Sequence, residues 1–153
     1  MTVALIACSN GFGHIKRLLL LANELNNLSI NSVIYAPIES VKHISRTHKI
    51  PIHTVKDFDS KTSISDWLTG NATNWYKSLP DLSSYDQVVS DNLVEILKIR
   101  PDAWLSGSFF WHNSLKGIPD NIITRTNEIL SNNHPRMISS ALFSSDYLKK
   151  NTK

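Results

Sequence analysis

The opening of the chain constrains its fold most strongly, because a strand-length apolar run leads through glycines into a helical pattern. Val3 to Cys8 is continuously apolar, and Gly11-Phe12-Gly13-His14 follows shortly after it. Beyond the glycines, apolar side chains recur at the spacing of one helix face, at Ile15, Leu18, Leu19, Ala22 and Leu25. The stretch therefore predicts a strand, a tight turn and a helix. Gly11 and Gly13 allow backbone angles and a close ligand approach that side chains would block.

A turn of this kind has chemical consequences. The first N–H groups of a helix have no partner within it, and its dipole is positive there, which suits an anion or a sugar hydroxyl. His14 lies at that point, where an imidazole can exchange a proton with a substrate. The alternative is that His14 only caps or packs the helix. Lys16 stands where the dinucleotide-binding pattern has its third glycine, so NAD binding is disfavoured.

Strand-like and helix-like segments alternate along the rest of the chain. Their periodicity predicts strands at 30–36, 50–55, 85–90, 103–107 and 136–143, and helices at 38–49, 92–99 and 121–130. Residues 56–84 are rich in polar turn formers and predict a long excursion with one or two short helices. The alternation predicts an α/β fold, with a doubly wound, mainly parallel Rossmann-like sheet of about six strands in the order 3-2-1-4-5-6.

Length and charge bound the organisation of the chain. A single domain is expected over 1–143, and the polar, basic residues 144–153 are expected to be a tail or an interdomain linker. The 16 Lys and Arg exceed the 13 Asp and Glu only mildly, which argues against nucleic acid and leaves a peripheral membrane association open. The single Cys8 fits a reducing compartment, and neither a secretory signal nor a membrane span is recognisable. A cytoplasmic location is expected, with the inner face of a membrane as an alternative.

The expected strand order brings two distant segments to one crevice. Strands 1 and 4 are neighbours at the topological switch point, where such sheets bind ligands beyond the carboxyl ends of the strands. His14 follows strand 1 and Asp91 ends strand 4. A carboxylate bonded to one imidazole nitrogen fixes the tautomer, and the other nitrogen can then take a proton from a hydroxyl. The alternative for Asp91 is an N-cap of the helix predicted at 92–99.

Other residues are candidates to line the same crevice. Arg17, one turn into the first helix, suits a phosphate or a carboxylate, with a surface ion pair as the alternative. His112 and Asn113 follow the fifth strand, and a structural role is the alternative for His112. No histidine shows metal-ligand spacing, so no metal or other cofactor is expected. The complete set predicted to bind substrate is Gly11, Phe12, Gly13, Arg17, Asn92, His112 and Asn113.

Two short motifs carry a resemblance to a family. Ser9 to Arg17, followed by Leu-Leu-Ala-x-x-Leu, resembles the opening of the two-domain, twin-Rossmann (GT-B) glycosyltransferases, which include the UDP-glycosyltransferases and MurG-like N-acetylglucosaminyltransferases. Val88-Val89-Ser90-Asp91 is similar to a second motif of that family. The resemblance implies an inverting, metal-independent glycosyltransferase in which His14 is the general base and Asp91 its partner. The Gly13-to-Arg17 pattern, Gly-His-x-x-Arg, also resembles the nucleotide-sugar hydrolase of pseudaminic acid biosynthesis, in which the His acts on a water.

The resemblance covers one half of a GT-B fold. A complete enzyme of this type has a second Rossmann-like domain for the nucleotide-sugar donor, and nothing in this sequence supplies it. The chain is then expected to be a truncated product, one subunit of a split enzyme, or a non-catalytic module that binds a sugar or a partner. The implied partners are a nucleotide sugar, a hydroxyl acceptor and a second donor-binding domain or subunit.

Overall fold

Six parallel strands form the centre of the molecule, seen in a computed structural model that describes residues 1–8, 12–42, 44, 50–55, 79–140 and 144–152. The strand order is β3-β2-β1-β4-β5-β6, and every neighbouring pair is parallel. The strands are β1 (Thr2–Ile6), β2 (Asn31–Pro37), β3 (Ile52–Val55), β4 (Gln87–Asp91), β5 (Trp104–Ser106) and β6 (Met137–Ile138). The predicted α/β class, the doubly wound Rossmann-like sheet and its strand order are confirmed.

Helices cover both faces of this sheet. Within the described residues they are α1 (Phe12–Asn27), α2 (Ile38–Lys42), α3 (Trp111–Ser114), α4 (Asp120–Asn133) and α5 (Asp146–Asn151), with a 3-10 helix at Val94–Lys98. Successive side chains of β1 point to opposite faces, as in any strand. Val3 and Leu5 pack into a core beneath α1, whereas Ala4 and Ile6 pack into the core that faces α4 and α5. No helix within the described residues is both long and apolar enough to cross a membrane.

The helix predicted at 92–99 is present only as a shorter 3-10 helix, Val94–Lys98. Asn92 has a left-handed φ of 61°, and its N–H donates to the carbonyl of Ser106 at 2.9 Å. The left-handed φ keeps Asn92 out of a right-handed helix, and only the short 3-10 helix follows, with Leu93 in the N-cap position and no side-chain cap. Asp91 is therefore not a helix cap, and its carboxylate is available for other partners.

The carboxyl-terminal predictions are also corrected. β6 is shorter than the predicted strand 136–143, of which residues 141–143 lie outside the described residues. The segment 144–153, predicted to be a tail or an interdomain linker, contains the helix α5. The Ser145 hydroxyl accepts from the Leu148 N–H at 3.2 Å and starts the helix, as N-cap serines do. Leu148 is 1% exposed and packs into the core shared with Phe110.

Two other predicted segments are only partly described. Helix α2 confirms the beginning of the predicted helix 38–49, and residues 43 and 45–49 lie outside the described residues. Most of the predicted excursion, 56–78, lies outside them too, as does Gly11 of the glycine turn.

Candidate active site

The switch point between β1 and β4 brings three polar side chains together. The two strands are adjacent, with Ile6 opposite Ser90, so the start of α1 and the end of β4 share the carboxyl edge of the sheet. Asp91 lies two residues beyond Val89, which packs into the core beneath α1, so both point to the α1 face. His14 and Arg17 are three residues apart on α1 and share one face of that helix.

The Asp91 carboxylate is the centre of this cluster. Arg17 donates through Nη2 to Oδ1 at 2.8 Å and to Oδ2 at 3.0 Å, and through Nε to Oδ2 at 3.2 Å. His14 Nδ1 lies 3.3 Å from Oδ2. The predicted approach of His14 to Asp91 is thus present. Arg17 was predicted to meet a phosphate or a carboxylate or to form a surface ion pair, and its pairing with the buried Asp91 was not predicted.

Burial differs sharply among the three side chains. Asp91 is completely buried, His14 is 10% exposed, and Arg17 is 43% exposed. A buried carboxylate is tolerated only when charged or polar donors satisfy it, and here the guanidinium does so through a fork of N–H groups. The guanidinium also reaches His14, since its Nη2 is 3.2 Å from Nδ1.

Aromatic side chains that the sequence analysis did not select border His14. The ring of Trp111 lies 6.0 Å from the His14 ring, and Phe109 meets Trp111 edge to face at 5.0 Å. The indole N–H of Trp111 is buried and has no acceptor among the described residues. The signal for this aromatic wall was the run Phe109-Phe110-Trp111 immediately beyond β5, at the same sheet edge as Asp91.

Asn92 and Gly107 pack against each other beside the site. Asn92 is 2% exposed, and its Oδ1 has no hydrogen-bond partner among the described residues. Gly107 has a φ of 149°, and a Cβ there would lie 2.5 Å from that oxygen. Asn92 therefore packs inside the protein at the end of β4, and very little of its side chain is accessible to a substrate.

The other predicted substrate-binding residues differ in position. Phe12 opens α1 and is 46% exposed. No atom of the described residues lies within 4 Å of the position that a Cβ of Gly13 would take. Asn113 lies exposed on α3, and Gly11 falls outside the described residues.

His112 packs away from solvent in a polar cluster of its own. It is 4% exposed, and its Nε2 lies 3.0 Å from Asn127 Oδ1 and 3.4 Å from the Tyr147 hydroxyl. Tyr147 also donates to the same Asn127 oxygen. Burial lowers the pKa of His112, partly offset by the bond to Asn127. These partners join α3 to α4 and α5, which is the structural role weighed as the alternative for His112.

A separate cavity lies at the opposite edge of the sheet. It has a volume of about 330 Å³ and is lined by residues 79–83, which precede β4, and by Ile99 and Arg100, which precede β5. Arg100 there is engaged by Asp102 and by the carbonyls of Leu82 and Tyr85. Ligands of doubly wound sheets bind at the carboxyl edge, so the cluster around Asp91 remains the better candidate.

Across the described residues, no three His, Cys, Asp or Glu side chains come close enough to hold a metal ion.

Comparison of the chain with protein-family models finds no match, and comparison with curated proteins finds no relative.

Proposed function

We propose that this domain is the acceptor-binding half of an inverting glycosyltransferase of the GT-B type, with His14 as general base. The observation that carries the proposal is the 3.3 Å approach of His14 Nδ1 to the buried Asp91 carboxylate at the sheet switch point. Topology brings these two groups together at the edge where such folds bind ligands. The motifs around both residues resemble those of the glycosyltransferases.

The chemistry is a single displacement at the anomeric carbon of a nucleotide sugar. Nε2 of His14 removes the proton of an acceptor hydroxyl as the oxygen bonds to that carbon. The bond from the carbon to the donor phosphate breaks, and the nucleoside diphosphate leaves with the electron pair. Asp91 orients the imidazole and stabilises the imidazolium that forms, which is the usual division of labour for such a pair.

The remaining parts of the proposal follow from the same resemblance. Trp111 and Phe109 give the acceptor an apolar surface beside His14. A second Rossmann-like domain or subunit supplies most of the contacts to the donor, and no resident cofactor takes part. The protein is proposed to work in the cytoplasm, where nucleotide sugars are the donors, or at the inner face of a membrane.

A nucleotide-sugar hydrolase is the second candidate, and the position of Arg17 favours it. The Gly-His-x-x-Arg pattern that resembles such a hydrolase ends on Arg17, which contacts both Asp91 and His14. The reaction would be the same displacement with water as the nucleophile. The two candidates therefore differ in what occupies the acceptor position and not in the role of His14.

Replacement of His14 by Ala is the first prediction. The protein is added to an extract of its source cells lacking its own gene, together with sugar-labelled nucleotide sugars. We expect wild type to restore transfer of label to an acceptor, and His14→Ala to reduce that transfer by about 10²–10⁴-fold, the usual contribution of a general base.

Lys16→Ala provides the matched control, because Lys16 is exposed on the same turn of α1. It should transfer sugar at the wild-type rate. Label released into water without transfer would identify the hydrolase. Equal activity of His14→Ala and wild type would remove the base assignment, and a folded wild type that yields neither product would indicate a binding module.

A further inference from the structure

We propose that Arg17 is a positioning residue that sets the tautomer of His14, and that an anionic substrate group releases it. By donating to Nδ1, the guanidinium would hold His14 in the form that cannot act as a base through Nε2. A phosphate or diphosphate group is proposed to draw Arg17 off Asp91 and so switch His14 to the active form. The use of this switch in catalysis rests on the proposed function; the tautomer itself does not.

The hydrogen-bond chemistry of Arg17 carries the first step. A guanidinium has only donors and does not lose its proton in proteins, whereas a neutral imidazole has one N–H and one acceptor nitrogen. Nη2 of Arg17 lies 3.2 Å from Nδ1 of His14. With the guanidinium as the donor in this contact, Nδ1 is the acceptor and the proton lies on Nε2, and this is the tautomer that we assign. In this tautomer Nε2 has no lone pair with which to take a hydroxyl proton.

Asp91 is held by the same guanidinium. Arg17 engages both carboxylate oxygens at 2.8–3.2 Å, closer than the 3.3 Å that separates Oδ2 from Nδ1 of His14. Asp91 is completely buried and needs a donor at all times. If Arg17 moves away, Nδ1 of His14 is the donor already within reach. The imidazole proton then moves through solvent from Nε2 to Nδ1, and Nε2 becomes the base.

The exposure of Arg17 makes such a movement feasible. Its side chain is 43% exposed, in contrast to its two partners. Arginine binds phosphate oxygens through the same fork of N–H groups that it uses for a carboxylate, so a phosphate competes directly with Asp91. The anionic group that the reaction brings to this edge is the phosphate of the nucleotide sugar.

Nitrogen NMR of the imidazole tests the tautomer without any assay of activity. Protein labelled with ¹⁵N is recorded at a pH well above the ordinary titration of histidine, with and without inorganic pyrophosphate as the anion. We expect the free wild type to carry the His14 proton on Nε2, and saturating pyrophosphate to move it to Nδ1. The buried His112, bonded to Asn127, serves as an internal reference that should not change.

Arg17→Met gives an independent test by removing the donors and keeping a long side chain. It should carry the proton on Nδ1 without any anion, whereas Lys16→Met, which removes a charge from the same turn of α1, should match wild type. The proposal is overturned if free wild type already carries the proton on Nδ1 or if Arg17→Met leaves it on Nε2. Pyrophosphate that fails to bind, or that binds without moving the proton, equally overturns it.

The wild-type titration needs no variant, so it decides the matter even if Arg17→Met does not fold. Its outcome is also separable from the proposed function. A protein that transfers no sugar but switches tautomer with pyrophosphate would retain the role of Arg17 and lose the glycosyltransferase. A protein that transfers sugar through His14 without a tautomer change would lose only the switch.

Discussion

Asp91 determines the environment of the whole site, because its carboxylate is completely buried between Arg17 and His14. The sequence predicted its approach to His14 from strand order alone. The pairing of Arg17 with Asp91 was not predicted, although the spacing of the residues is compatible with it. Asp91 shares a sheet face with Val89, and Arg17 shares a helix face with His14. The two-residue repeat of the strand and the three-residue spacing on the helix therefore direct these side chains to one point.

Gly107 contributes to stability because it leaves room for the Asn92 side chain. Its φ of 149° disfavours a side chain, and a Cβ would lie 2.5 Å from the Asn92 carboxamide oxygen. We expect Gly107→Ala to lower the free energy of unfolding by about 1–3 kcal/mol, measured by urea denaturation. Gly117→Ala is the matched control, because Gly117 also has a positive φ, of 79°, but open space around the Cβ position.

An Asn92→Gly background separates steric contact from backbone strain. Asn92 already has a left-handed φ of 61°, which glycine adopts readily, and glycine there removes the side chain that a new Cβ would meet. Gly107→Ala should therefore cost less in Asn92→Gly than in wild type. An equal cost in both backgrounds would show that contact with Asn92 is not the reason for the glycine.

At the scale of elements, periodicity predicted the central strands and the long helices, and it failed where tertiary contacts decide. Residues 92–99 have a helical pattern, but Asn92 is left-handed and bonds to Ser106 on the neighbouring strand, and only a 3-10 helix follows. No local pattern contains that contact. Helix α5 was different, because its Ser145 cap, the acidic Asp146 and two basic residues at its end are ordinary helix signals.

Helix α5 is expected to contribute substantially to the stability of the domain. Leu148 is 1% exposed and belongs to the core that contains Phe110 and Leu130. Leu148→Ala should lower the free energy of unfolding by about 2–5 kcal/mol in a urea titration, the usual range for a buried leucine. Lys149→Ala, on the exposed side of the same helix, should change it by less than about 0.5 kcal/mol. A Leu148→Ala protein as stable as the Lys149 control would mean that α5 does not hold the domain together.

At the scale of the whole molecule, the sheet order creates the site. The strand order places β1 beside β4 at the topological switch point of the sheet. His14 and Asp91 therefore meet although they are distant in sequence. The cavity at the opposite edge is lined by segments that precede the strands and lies apart from these groups. The topology was predictable from the alternation of elements, whereas the aromatic wall of Trp111 and Phe109 depended on how α3 turns back toward α1.

The most direct test of the account is a double-mutant comparison of sugar transfer by wild type, His14→Ala, Asp91→Asn and the double variant, each confirmed as folded by circular dichroism. If Asp91 acts through His14, both single variants lose transfer, and the double variant is no slower than His14→Ala, since residues that act as a unit are strongly non-additive. Losses that multiply in the double variant, or an Asp91→Asn protein as fast as wild type, would contradict a catalytic pair at this site.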